Sequence, residues 1–373
     1  MTIVVAPDKF KGSLTSKQVC AAIKESLLEI DPSLTIISIP LADGGEGTSD
    51  LLTELSHGTI VKIKALDPLF RVTETEYGIS ADGRTAFIEM AKISGLLLLK
   101  PEERNPMLTT TFGTGQLIKH AMERGVEEIV LGIGGSATND AGIGMAEALG
   151  FSFLDENGIA LKPTGENLIR ISSIIKENTH PLLSKTRFTV LCDVDNYLHG
   201  PNGAAYIFGK QKGGNESSLR ILDEGLLNFQ KIAERTFSKE ADFSGAGAAG
   251  GLGSGAKLFL NARLSRGFHF ISTFTKLEDA IAEADLVITG EGKIDHQTLS
   301  GKVVQGVAGI AQFYDKPCVA FAGKNDLSLT ELSKLGIEKV ITLSNQASDD
   351  ENAMSNAFSV LKDRAHLLRE FLV

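Results

Sequence analysis

Acidic side chains and bare glycines recur together in this sequence at the ends of short apolar runs. Asp8, Lys9 and Lys11 follow the run at residues 2–6, and Asp43 and Glu46 follow the run at 34–39. Asp193, Asp195 and Asn196 follow a run ending at Cys192, and Glu291, Lys293 and Asp295 follow residues 286–289. Three glycine-rich strings accompany them: residues 132–140, which include Gly134, Gly135 and Ser136; residues 245–255; and Gly290-Glu291-Gly292. A glycine loop lets backbone N–H groups approach phosphate oxygens, and a following helix N-terminus adds a favourable field. Carboxylates can carry Mg²⁺ or receive a hydroxyl proton, and a lysine can neutralise a transferred group. Phosphoryl transfer asks for this combination, because it depends on alignment and charge neutralisation more than on covalent chemistry. Any single acid here reads equally well as a helix cap or a solvated loop residue. Four at successive strand ends are harder to dismiss.

Other chemistries fit less well. Gly245-Ala246-Gly247-Ala248-Ala249-Gly250 has the dinucleotide-binding spacing, but a charged stretch precedes it where a buried strand is required. The phosphate loop with Lys-Ser/Thr after two spaced glycines does not occur, so ATP, if used, is held by another loop. There is no nucleophile elbow, no HExxH, and no cysteine with an evident base partner. Lys210 and Lys212, in Phe208-Gly209-Lys210-Gln211-Lys212-Gly213-Gly214, offer cations to an acidic substrate or to phosphate, or form a solvated basic loop. His296 sits beside Asp295, which is the better candidate.

The positioning elements follow from periodicity. Residues 2–6 form a short β-branched run; a capping box of Thr15 with Gln18 then opens a helix with Val19, Ile23, Leu27 and Ile30 on one face, stopped at Asp31-Pro32. A second strand at 34–39 completes a unit of parallel-sheet grammar. The same grammar returns near the C-terminus: strands at 286–289, 318–321 and 339–343, with helices carrying Val303, Val307 and Ile310, and finally Met354, Phe358 and Leu361. Between these ends, residues 59–90 alternate as antiparallel strands with turns at Asp67-Pro68 and Asp82-Gly83. Further strands are expected at 128–132 and 188–192, with helices near 115–124, 139–149 and 217–237. The expectation is an α/β protein of two domains. A discontinuous flavodoxin- or Rossmann-like parallel-sheet domain is formed by both termini (residues 1–55 and 280–373), and a mixed α/β domain (56–279) is inserted into it. Ligands of open parallel sheets collect at the carboxyl ends of strands, which points to an active site in the interdomain cleft.

The global composition agrees with a soluble globular chain. Of 373 residues, 42% are hydrophobic and 23% charged, and a formal charge of -10 argues against nucleic acid or an anionic membrane as partner. Three cysteines lie far apart, with neither a disulfide framework nor a zinc pattern, which fits a reducing cytoplasm. No apolar run approaches a membrane span, and the N-terminus has no targeting pattern. The sequence leaves the oligomeric state open.

Seven strings, in order from the first strand to the last helix, together resemble the type I family of bacterial glycerate kinases. They are Ala6-Pro7-Asp8-Lys9-Phe10-Lys11-Gly12-Ser13-Leu14; Ala42-Asp43-Gly44-Gly45-Glu46-Gly47-Thr48; Gly134-Gly135-Ser136-Ala137-Thr138-Asn139-Asp140; Cys192-Asp193-Val194-Asp195-Asn196; Phe208-Gly209-Lys210-Gln211-Lys212-Gly213; Gly250-Gly251-Leu252-Gly253-Ser254-Gly255; and Gly290-Glu291-Gly292 through Asp295, Gln297, Thr298, Gly301 and Lys302. The resemblance implies an ATP- and Mg²⁺-dependent enzyme that phosphorylates D-glycerate at the 2-hydroxyl, giving 2-phosphoglycerate and ADP in glycerate, glyoxylate or sugar-acid breakdown. On that reading, Asp193, with Asp8 and Lys9, is expected to act in catalysis, and Lys11, Asn196 and Lys212 to hold glycerate. The loops at Gly134, Gly135 and Ser136 and at Gly290, Glu291 and Gly292 would bind the nucleotide, and Asp43 and Asp295 the metal. A non-catalytic sensor would keep the glycine loops and dispense with the carboxylates. A loop like that of the galactokinase and homoserine kinase superfamily at residues 250–256 would lie unusually late in the chain.

Overall fold

The computed structural model describes residues 1–296, 298, 303–343 and 356–372; Gln297, Gly301, Lys302 and Met354 lie outside the described residues. The chain is α/β and divides into two compact units, Met1–Asp43 with Phe268–Val373, and Gly44–Gly267. In chain order the strands are β1 (Thr2–Val5), β2 (Thr35–Ser38), β3 (Thr59–Leu66), β4 (Val72–Ile79), β5 (Thr85–Glu89), β6 (Glu128–Gly132), β7 (Ser152–Leu154), β8 (Ser173–Ile175), β9 (Arg187–Leu191), β10 (Arg263–Ser265), β11 (Leu286–Ile294), β12 (Cys318–Asn325) and β13 (Lys339–Thr342).

The unit built from both termini has a five-stranded sheet in the order β13-β12-β11-β1-β2, parallel throughout. Counted within that unit the order is 2-1-3-4-5, the flavodoxin-like arrangement. The β-branched runs form central strands because both faces are covered: Ile3, Val5, Ile288, Val319 and Phe321 pack with Val19, Ile23 and Leu27 of the first helix and Leu361 of the last, while Val4, Val287 and Ala320 on the opposite face are fully buried and the helix Val303–Phe313 lies on β11 and β12. That first helix, Ser16–Ile30, begins where the capping box places it. Thr15 accepts from Gln18 N at 3.2 Å, and the Gln18 side chain accepts from Thr15 N at 2.9 Å. Thr15→Ala removes one half of this exchange and is expected to lower stability by about 1 kcal/mol, read from the urea midpoint.

The other unit has a six-stranded sheet in the order β10-β9-β6-β5-β4-β3. β10, β9, β6 and β5 run parallel, whereas β3 and β4 pair antiparallel from Thr59↔Ile79 to Leu66↔Val72. The Asp67-Pro68 turn makes that reversal: the Asp67 carboxylate accepts from Leu69 N and Arg71 N, at 2.8 and 2.9 Å. Its core joins Leu117, Ile129, Leu131, Phe229 and Leu252, and β7 and β8 form a separate antiparallel pair. The helix Thr48–Leu55 packs on β4 and β5. The chain therefore passes between units at residues 43 and 44 and at 267 and 268, upstream of the seams at 56 and 279 that the sequence suggested.

Parallel register sets up the chemistry. Glu89 pairs with Gly132, and Gly132 with Leu191, so the carboxyl ends of β5, β6 and β9 finish level with one another. Among the described residues no helix is long and apolar enough to cross a membrane.

Candidate active site

At the level edge of β5, β6 and β9, the loop after Asp43 is fastened down by Glu89. Its buried carboxylate accepts from Gly47 N at 3.1 and 3.2 Å, from Ser49 N at 3.4 Å and from Ser49 Oγ at 3.2 Å, capping the helix Thr48–Leu55 with negative charge. Burial pushes the Glu89 carboxyl above its ordinary value, and the backbone donors of Gly47 and Ser49 pull the other way. So anchored, Gly44 (φ +86°) lies directly against Asp193: a Cβ there would stand 3.0 Å from Asp193 Oδ2 and 3.0 Å from Gly267 Cα. Asp193 Oδ1 accepts from Gly267 N at 2.9 Å. Its carboxylate is thus held at a strand end with its side chain open to solvent.

Beside it, β6 runs into Gly134 and Gly135, both exposed, and then into Ser136, which is 7% exposed. A Cβ on Gly134 would lie 3.5 Å from Gly45 Cα, so the two glycine loops share this edge. Asp195 points elsewhere, accepting from Arg266 Nη2 at 2.6 Å through both oxygens and from Ser244 Oγ at 3.1 Å. Asn196 follows on the same segment, its Nδ2 donating to Asn202 O at 3.0 Å.

Lys212 departs from expectation. Proposed from sequence as a cation facing the substrate, it is 2% exposed, and its Nζ donates to Ser136 Oγ and Thr138 O, each at 2.7 Å. Its place in the fold is beneath the glycine loop. Asp140 is fully buried alongside and accepts from Thr111 N, Thr111 Oγ1, Gly142 N and Gly144 N.

The terminal unit gathers a second acidic set. Asp8 follows β1, is 7% exposed, donates its N–H to Gly290 O at 2.8 Å and accepts from Lys9 N through Oδ1 at 2.7 Å. Burial first, and then the neighbouring Asp43 charge, push its carboxyl up to about 7, with Glu291 adding to the repulsion. Three carboxylates within electrostatic reach are what a divalent cation relieves. Magnesium asks for only one or two of them, completing its shell with water and phosphate oxygens. The acids present therefore fit Mg²⁺, although no group of three or more His, Cys, Asp or Glu among the described residues is arranged as a metal cage. Asp295 fits less well as a ligand, because Lys293 Nζ sits 3.2 Å from its carboxylate. Lys9 is half-buried, and Lys11 is exposed on the turn closed by Phe10 N donating to Leu14 O at 2.8 Å.

Gly290, Glu291 and Gly292 need correction as a free loop. They lie inside β11, where Gly290 pairs with Phe321 and Glu291 with Ala322. The two glycines serve close approach: a Cβ on Gly290 would meet Phe321 O at 2.5 Å, and one on Gly292 would meet Lys11 N at 3.2 Å. Glu291 accepts from Thr298 Oγ1 at 2.5 Å.

Sequence reasoning passed over Glu89, Asp140 and Arg266. Glu89 carried a readable signal, an acid closing the strand run Thr-Ala-Phe-Ile-Glu. Asp140 ends the string Gly134–Asp140 with no separate signal of its own, and Arg266 has no local signal.

Comparison with known proteins adds the lineage. A family model described as the glycerate kinase family matches residues 3–372. A protein of Halalkalibacterium halodurans named glycerate kinase is 43% identical over 365 residues, covering 98% of this chain and 96% of that protein. One of Escherichia coli named glycerate 2-kinase is 40% identical, covering 96% and 94%. A crystal structure from Salmonella typhimurium, given the provisional name glycerate kinase 2, superposes with a TM-score of 0.87 at 40% identity, covering 99% of this chain and 98% of that one. With strand-end acids and glycine loops in sequence order and a family match along almost its whole length, the chain belongs to the glycerate kinase family.

Proposed function

We propose that this chain transfers the γ-phosphoryl group of ATP to the 2-hydroxyl of D-glycerate, releasing ADP and 2-phosphoglycerate in glycerate, glyoxylate or sugar-acid breakdown. The observation that carries the reading is Asp193, held by Gly267 N against Gly44 on the same sheet edge as exposed Gly134 and Gly135. The name of the Escherichia coli relative favours the 2-hydroxyl.

In this mechanism Asp193 accepts the 2-hydroxyl proton as that oxygen bonds to the γ-phosphorus. The bond from γ-phosphorus to the bridging oxygen breaks, and its electron pair leaves with ADP. The exposed backbone at Gly134 and Gly135, with Ser136, holds phosphate oxygens. Lys11, exposed on its turn, balances the glycerate carboxylate, with Lys9 and Asn196 in support. Asp43, with Asp8 alongside, would hold Mg²⁺, which would supply neutralisation of the phosphate charge. Three free, buried cysteines suit a reducing cytoplasm.

The test is ADP release with and without D-glycerate, followed by ³¹P NMR of the product. Glycerate-dependent ADP and a phosphorus signal split by a single proton, as the 2-ester requires, support the reading. ADP release indifferent to glycerate overturns the substrate, and splitting by a CH₂ pair overturns the regiochemistry.

A further inference from the structure

We propose that Lys212 is a positioning residue that makes Ser136 an obligate hydrogen-bond donor toward the nucleotide phosphates. The inference rests on the reading of residues 134–136 as nucleotide-binding and assigns Lys212 a task other than contact with substrate. An ammonium has three donors and no acceptor, so in the contact between Lys212 Nζ and Ser136 Oγ the serine oxygen must accept. The hydroxyl proton of Ser136 is then directed away from the lysine, and no protein acceptor is set for it among the described residues. Ser136 stands at the inner end of the exposed Gly134–Gly135 pair, where a phosphate oxygen is the acceptor that completes it. A donor whose oxygen is itself bonded to a cation is polarised, which strengthens the bond it gives.

The rest of the loop shows why a lysine is needed there. Lys212 also holds Thr138 O at 2.7 Å, whereas Thr138 Oγ1 and both polar atoms of the Asn139 amide are buried without a partner. Main-chain bonds from Ala137 N to Ser94 O and from Ala141 N to Gly250 O fix the ends of the segment. Lys212 fixes its middle.

The direction of the bond depends on the charge of the lysine. Burial draws the Lys212 ammonium down to about 7, opposed only by the Asp140 charge. The other charged groups near this turn are Arg104, whose backbone packs against Gly213, and Lys210, which is exposed. Once neutral, the amine gains a lone pair and can accept from Ser136, turning the hydroxyl inward. The KM for ATP should therefore rise with pH through this range.

The experiment compares wild type with Ser136→Ala, Lys212→Met and the double variant, measuring kcat and both KM values from about pH 6 to about pH 8. Each single variant is expected to raise the KM for ATP about tenfold with a smaller change in kcat, and the double variant to be no worse than the poorer single. The rise of the ATP KM with pH should fall in Ser136→Ala to the part that Asp8, whose carboxyl burial lifts to about 7, contributes in both proteins. Additive losses, or a pH dependence in Ser136→Ala as steep as that of wild type, overturn the proposal. The Ser136→Ala arm decides it even if Lys212→Met fails to fold. A matching non-additive rise in the glycerate KM alone overturns the nucleotide assignment of the loop while keeping the Lys212–Ser136 coupling.

Discussion

Asp193→Asn is expected to reduce kcat about 100-fold or more while the KM for ATP stays within about threefold of wild type. The substitution is close to isosteric. The amide keeps an oxygen to accept from Gly267 N, so the segment after β9 stays in place. What it loses is the capacity to take a proton, because the NH₂ that replaces one carboxylate oxygen beside Gly44 is a donor only. An effect confined to turnover separates proton acceptance from binding. Removal of a uniform binding contact would raise KM at constant kcat instead. Steady-state rates by coupled ADP release, with ATP and glycerate varied independently, provide the measurement. Unchanged turnover would remove Asp193 from the reaction and leave Asp8, whose carboxyl burial lifts to about 7, as the acid placed at the other strand-end set.

Much of this architecture is written locally. The Thr15–Gln18 box, the apolar face of Ser16–Ile30 and the alternation of residues 59–79 are short-range signals, and each element appears where those signals place it. Asp8 and Asp193 were legible because a parallel strand that ends on an acid presents it at the sheet edge. The remainder depended on partners distant in sequence. Residues 290–292 read as a loop because glycine punctuates strands, yet β12 extends the ladder through them to Ile294. The boundary at 55 assigns residues 48–55 to the terminal unit, but Glu89, some forty residues on, accepts from Gly47 N and Ser49 N and ties the helix Thr48–Leu55 to β5. Lys212 lies in a basic, glycine-flanked string, which ordinarily means a solvated loop. Its burial is decided by Ser136 and Thr138, over seventy positions away, and no local pattern encodes that.

The glycine-rich string at 245–255 illustrates the same dependence and carries the largest structural effect we expect. Ala249, Gly250 and Gly251 are all left-handed, with φ of 54°, 72° and 92°, a run that interrupts the helical segment Ala248–Phe259 at its start. A Cβ on Gly250 would lie 2.1 Å from Thr138 O and 2.5 Å from Asn139 Cα, both backbone atoms that cannot swing aside. Gly83 has the same φ of 72° with nothing within 4 Å of its Cβ position, so Gly83→Ala isolates the conformational part of the change. That part costs about 1–2 kcal/mol. Gly250→Ala adds overlap with fixed backbone, for a total of roughly 3 kcal/mol or more. By calorimetry the expected falls in melting temperature are about 2–8 °C for Gly83→Ala and about 6–12 °C or more for Gly250→Ala. The two should also differ in kinetics. Thr138 O is an acceptor of the Lys212 ammonium, and Gly250 O accepts from Ala141 N, so displacement at Gly250 disturbs the segment that seats Ser136. Gly250→Ala should therefore raise the KM for ATP in the protein that remains folded, whereas Gly83→Ala should leave it unchanged. Equal melting temperatures for the two variants would show that the 138–140 segment yields to a methyl group, and with it would go the rigidity on which the placement of Ser136 depends.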